Sequence, residues 1–171
     1  MTRISILWLA VWLMACGQAY AEEMKAYENK QAGLRMRYPA GWVMDDKVAG
    51  VLVAFGAPQD KANLKLVENV TVVVQDLVRD ERLETYTRSY EQQLKNDPST
   101  KVIESKKTML GALPAHRIVC VGQQGNLQIQ FLQVWTVKGG KAYLFTYGAS
   151  KDTFGNFLSE AESIISSLKF L

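Results

Sequence analysis

The sequence predicts an α+β domain, an antiparallel sheet of about six strands flanked by helices in an α/β/α sandwich. Three observations carry this. Apolar residues alternate with polar ones at Leu34, Met36 and Tyr38, and again through residues 101–149. Residues 70–74 are Val-Thr-Val-Val-Val, the most strand-prone run in the chain. Two stretches, 83–94 and 154–168, repeat apolar residues at helical spacing.

The N-terminus comes first in the chain and stands apart from the fold. Thr2-Arg3 is followed by an apolar run from Ile4 to Ala15, broken only by Ser5, then by Ala19-Tyr20-Ala21 and Glu22-Glu23. This order of charged, apolar and small residues is that of a secretory signal peptide, with cleavage expected between Ala21 and Glu22. The run is shorter than the roughly 20 residues that span a bilayer. A second processing route competes: Leu13-Met14-Ala15-Cys16-Gly17 resembles a lipobox, in which Cys16 would be lipidated. Met14 is unusual at its place in that pattern, so the soluble periplasmic form is preferred and membrane attachment is expected only if Cys16 is lipidated. Residues 22–171 then form one domain.

Loss of residues 1–21 removes Arg3 and no acid, leaving 19 Lys+Arg against 17 Asp+Glu. So even a balance, with only Lys106-Lys107 adjacent in the mature part, argues against a nucleic-acid partner. Cleavage after Ala21 leaves Cys120 as the sole cysteine, so no internal disulfide can form and the core must hold the domain.

Residues 22–29 read as a polar lead-in. The strand at Leu34–Tyr38 is broken by Pro39-Ala40-Gly41, and Trp42-Val43-Met44 follows. Val51–Phe55 is a second strand, residues 57–68 a polar loop, and Asn69–Leu77 a central strand. Asp80 is the expected cap of a helix that carries Leu83, Tyr86, Tyr90 and Leu94 on one face and ends at Asn96-Asp97-Pro98. Four strands follow, 101–109, 113–121, 127–138 and 141–149, the last two joined by Gly139-Gly140 in a tight hairpin. A second helix is expected over about 151–167, started by Ser150 or Asp152, with Phe154, Phe157, Leu158, Ala161, Ile164, Ile165 and Leu168 as its core stripe.

Little of the chain suggests chemistry. His116 is the only histidine and thus the only side chain whose ordinary pKa suits base work near neutrality, yet no nucleophile motif accompanies it. It shares a strand face with Ile118 and Cys120, where a structural role is expected for both His116 and Cys120. Asp45-Asp46 lies in a turn without the spaced ligands of a calcium loop, so neither metal nor cofactor is expected. Trp42, Asp45 and Asp46 are the candidate surface contacts, with burial the favoured alternative for Trp42.

The ordered landmarks Tyr38-Pro39-Ala40-Gly41-Trp42, the Val-rich strand, the helix with Tyr86 and Tyr90, Leu110–Ala115, and the ending Ile164–Phe170 resemble the PsbP-like superfamily, which includes Mog1-like and DcrB-like proteins. The resemblance spans about residues 27–170 and implies an α/β/α sandwich and a non-enzymatic accessory role in a larger assembly. No metal-binding set of the photosynthetic members has a counterpart here, and the export signal argues against a secretion-chaperone role. The expectation is an exported accessory protein that contacts an envelope protein or assembly. A periplasmic small-molecule or lipid carrier is the alternative, and a hydrolase using His116 a third reading.

Overall fold

A computed structural model describes residues 23–58, 68–78 and 81–171. The strands are β1 (Met24–Asn29), β2 (Leu34–Pro39), β3 (Val43–Asp45), β4 (Val53–Gly56) and β5 (Asn69–Asp76), then β6 (Thr100–Leu110), β7 (Leu113–Gln124), β8 (Leu127–Lys138), β9 (Lys141–Ser150) and β10 (Lys169–Phe170). The helices are α1 (Leu83–Asn96) and α2 (Leu158–Ser166). Seven strands form one antiparallel sheet in the order β3-β4-β5-β9-β8-β7-β6, and β1-β2-β10 form a second, smaller one.

Side-chain alternation gives the large sheet two different faces. Its inner face carries Phe55, Val72, Tyr147, Phe145, Leu132 and Val134, all buried. Against it pack α2, through Ala161, Ile164 and Ile165, and the small sheet, through Leu34, Met36 and Tyr38. Two tyrosines pin this layer with their hydroxyls: Tyr143 donates to the Ala32 carbonyl at 3.1 Å and Tyr147 to the Phe154 carbonyl at 3.0 Å. The outer face carries His116, Ile118, Cys120, Gln133, Trp135 and Leu144, and α1 lies over its β6–β8 half.

The predicted strands and hairpins form where expected. Gly139 and Gly140 take φ of 57° and 72°, the positive values that a two-residue turn matching strand twist requires. Five expectations change. Residues 24–29 are a strand and not a lead-in, because β1 is held by its backbone ladder to β2 while only Tyr27 is buried. The last residues add a further strand, β10, beside β2. The sheet layer is therefore two sheets.

The fourth change is the start of α2, which begins at Leu158 with Phe157 as its uncapped N-terminal neighbour. Residues 151–156 form successive turns, closed by the Thr153 amide donating to the Ser150 carbonyl at 3.1 Å and the Asn156 amide to the Thr153 carbonyl at 2.9 Å, while the Phe154 carbonyl accepts the Tyr147 hydroxyl. The fifth is the role of α1, none of whose residues is fully buried. Its apolar stripe is a half-covered seam and not a core face. Asp80, its expected cap, lies outside the described residues; Arg82 occupies the N-terminal boundary in extended conformation without a side-chain cap bond.

Candidate functional site

Cys16, Ala21 and Glu22 lie outside the described residues, so the two processing routes stay as sequence expectations. No helix of the described residues is long and apolar enough to cross a membrane. Trp42 is a correction to the candidate surface contacts: it is buried, with its ring edge-on to Phe157 at 6.0 Å. The Pro39–Gly41 turn directs it inward, where the Trp42 amide donates to the Pro39 carbonyl at 2.9 Å. Asp45 and Asp46 are exposed as expected, and Asp45 accepts the Lys47 amide at 2.8 Å in a local turn.

The surface next to them is more informative. All three residues of β3 are exposed, Val43 at 69%. Among the described residues β3 pairs with β4 along one side and ends the sheet on the other. The two edges of the large sheet differ. β6 is broken by a bulge between Val102 and Glu104 and carries Lys101, Lys106 and Lys107, devices that discourage edge-to-edge pairing. β3 presents Val43 and Met44 with neither lysine nor bulge, and Val48 is exposed just beyond it.

His116 lies opposite Trp135 in the β7–β8 register. Its Nε2 is 2.7 Å from Ser105 Oγ and 3.4 Å from Glu91 Oε1, and Ser105 Oγ donates to Glu91 at 2.5 Å. A serine, a histidine and a carboxylate are thus within reach, but their order is wrong for nucleophilic catalysis. The triad geometry sets the acid on Nδ1 and leaves Nε2 to receive the serine proton. Here both partners meet Nε2, and the single Ser105 proton goes to the carboxylate, the stronger acceptor. Nε2–H then donates to Ser105, so the trio is a tie between α1, β6 and β7. Arg117 points to the opposite face, bridging Glu104 and Glu162.

Cys120 is buried near this group, and desolvation pushes its thiol up to about 11, which keeps it protonated and unreactive. Among the described residues, no group of three or more His, Cys, Asp or Glu gathers to hold a metal ion.

A further feature among the described residues was not singled out in the sequence. Because α1 covers only the β6–β8 half of the outer face, a half-open cleft of about 830 Å³ lies between the helix and the ends of β5 and β9. Its wall includes Tyr86 and Tyr90, whose rings are parallel within 10° at 6.2 Å. Tyr90 is fixed by a 4.9 Å contact with Trp135 and by its hydroxyl, which donates to Gln133 at 3.2 Å. Burial holds the Tyr86 phenol above its ordinary pKa, with Glu81 adding to the effect. The four-residue spacing of the two tyrosines was the available signal; it reads equally as a core stripe.

Comparison with known proteins places this geometry in a family. The structure of the cyanobacterial PsbP protein CyanoP from Synechocystis sp. PCC 6803 is similar, with a TM-score of 0.63 at 19% identity, covering 93% of this chain and 99% of that one. LpqN of Mycobacterium tuberculosis, described as involved in cell envelope biogenesis, superposes with a TM-score of 0.64 at 12% identity over 88% of this chain and 86% of its own. A Pseudomonas aeruginosa protein of unknown function gives 0.59 at 13% identity, over 84% of this chain and 94% of its own. These likenesses are of fold. No curated protein matches the chain. The family model for PsbP-like protein matches residues 17–170, nearly the whole chain, and the protein therefore belongs to the PsbP-like family.

Proposed function

We propose that this protein is an exported, non-enzymatic accessory protein of the cell envelope that acts by binding a partner protein through the β3 edge. The observation that carries the reading is the contrast between the two sheet edges. Both expose apolar side chains, Ile103 and Met109 on β6 and Val43 and Met44 on β3. But β6 is guarded by lysines and a bulge, whereas β3 has an open backbone edge among the described residues with neither. An open edge of this kind accepts an extended segment by strand addition, in which main-chain hydrogen bonds supply affinity and alternate side chains supply selectivity. The fitting partner is an extended segment with an apolar residue to cover Val43 and a basic one to meet Asp45 and Asp46. Export rests on the N-terminal pattern, and the description of LpqN as involved in envelope biogenesis is in keeping with it.

The carrier reading finds support only on the outer face, since the layer between the large sheet and α2 is filled by the core and leaves a shallow recess of about 150 Å³ at its margin. The hydrolase reading loses ground to the arrangement at His116.

A photocrosslinker at Met44, with one at Lys107 on β6 as control, tests the proposal in intact envelopes. A discrete adduct at position 44 that is absent at 107, and that disappears in Val43→Lys without a change in melting temperature, is the expected result. Equal labelling at both edges, or no adduct at 44, would sink the reading.

A further inference from the structure

We infer that the cleft between α1 and the outer face of the large sheet is a binding site for a neutral saccharide. The site is separate from the β3 edge. Its volume, about 830 Å³, falls within the ~300–1,000 Å³ of small-molecule sites.

Charge narrows the ligand first. Glu81 and Arg82 stand side by side at the mouth with opposite signs, and Asp76 is engaged by the Lys141 ammonium. Among the described lining residues Asp76, Glu81 and Arg82 leave one negative charge, which Lys141 beside Asp76 offsets, so no cluster of one sign is presented to a phosphate, a carboxylate or a cation. The lining is also too polar for an acyl chain: its aliphatic residues are Leu77, Val78 and Leu144, and Val78 is fully exposed.

What remains is an uncharged polar rim around an aromatic surface. Gln75, Thr85, Ser89 and Gln93 face the cleft, are exposed, and have no side-chain hydrogen-bond partner among the described residues. Together they offer amide donors, carbonyl acceptors and hydroxyls that serve as either. Tyr86 and Tyr90 add parallel rings, and Tyr90 is already immobilised on Trp135, so little side-chain freedom is lost on binding. A sugar ring presents the complementary chemistry, an apolar C–H face for an aromatic ring and a rim of hydroxyls for neutral polar groups. An extended peptide is the less suitable occupant. The floor is built from β9, paired on both sides, and from the end of β5, where among the described residues 73–76 pair with β9 alone, so the neutral peptide in the titration below tests that short free edge directly.

Chitotriose, cellotriose and maltotriose titrated into the isotopically labelled protein, read by amide chemical shifts, test the assignment. At least one should bind at millimolar concentration or tighter, with shifts confined to residues 75–78, 81–93 and 144 and a response of the Trp135 indole relayed through Tyr90. Tyr86→Phe should bind as the parent does, because the ring is kept. Tyr86→Ala and the double variant Gln75→Ala/Gln93→Ala should each weaken binding about tenfold or more, as loss of roughly 1.4 kcal/mol implies. Absence of shifts with all three sugars overturns the inference. So do shifts that map elsewhere, affinity unchanged in the two weakened variants, or equal binding of a neutral Gly-Ser-Gln peptide. None of these outcomes bears on crosslinking at β3, so the two proposals stand or fall separately.

Discussion

His116 and Trp135 face one another across the β7–β8 ladder with their rings stacked, centroids 5.1 Å apart and planes 29° from parallel. The stack confines the imidazole between an indole and the Ser105–Glu91 pair, and it makes the histidine part of the joint under α1. From this geometry Ser105→Ala should lower stability by about 1 kcal/mol, the net worth of one hydrogen bond. It should leave hydrolysis of p-nitrophenyl acetate at the parent's rate. A drop of tenfold or more in that rate would restore the hydrolase reading.

The joint also sets the mobility of α1. The helix buries no residue completely and is held by Tyr90 on Trp135, by the Trp135 indole N–H donating to Thr87 at 2.9 Å, and by the Glu91–Ser105–His116 tie. Helices in proteins owe most of their stability to a packed face. Amide exchange in α1 should therefore proceed by local opening, faster than in α2, whose Ala161, Ile164 and Ile165 are buried. Thr87→Val should accelerate exchange in α1 several-fold and leave α2 unchanged. Equal protection of both helices in the parent would contradict this picture.

Gly111 joins β6 to β7 at φ of 57°, and a Cβ there would lie 3.2 Å from the Leu168 carbonyl oxygen. Both the left-handed backbone and the close approach oppose a side chain. Gly111→Ala should cost about 1–2 kcal/mol in denaturant unfolding. Gly125→Ala, at φ of 59° with open space around its Cβ position, supplies the comparison that isolates the backbone part.

The Cys120 thiol yields the pH prediction. Its folded-state pKa is pushed up to about 11 by burial, against 9.0 for the exposed group. Below pH 9 both states hold the proton and the difference costs nothing. Between pH 9 and about 11 the unfolded chain ionises while the folded one does not, so stability should fall as pH rises through that window. Several tyrosines are shifted the same way, so the comparison is between the parent and Cys120→Ala, whose loss over this window should be shallower. Alkylation of native protein by iodoacetamide at pH 8 should track unfolding and not proceed directly.

Much of the fold was legible because period-2 alternation and turn chemistry are local. Leu34, Met36 and Tyr38 announce one buried strand face, and Gly139-Gly140 announces a hairpin whose register then places Phe145 against Val134. Strands β1 and β10 were not legible for the converse reason. They are recruited by backbone pairing with β2, and a ladder of N–H and C=O groups leaves little mark on side-chain pattern.

The sequence by itself determined the export pattern, the α+β class, the strands with one buried face and the family resemblance, all of which are written in residue order or in nearest-neighbour periodicity. Only the tertiary structure decided that Trp42 points inward, that turns precede α2 up to Phe157, and that Ser105, His116 and Glu91 meet as a tie. It alone decided that α1 covers half of a sheet face and leaves a cleft beside Tyr86. The physical reason is that these features depend on which elements pack together, and helical spacing states that a face is apolar without stating how much of it a neighbour covers.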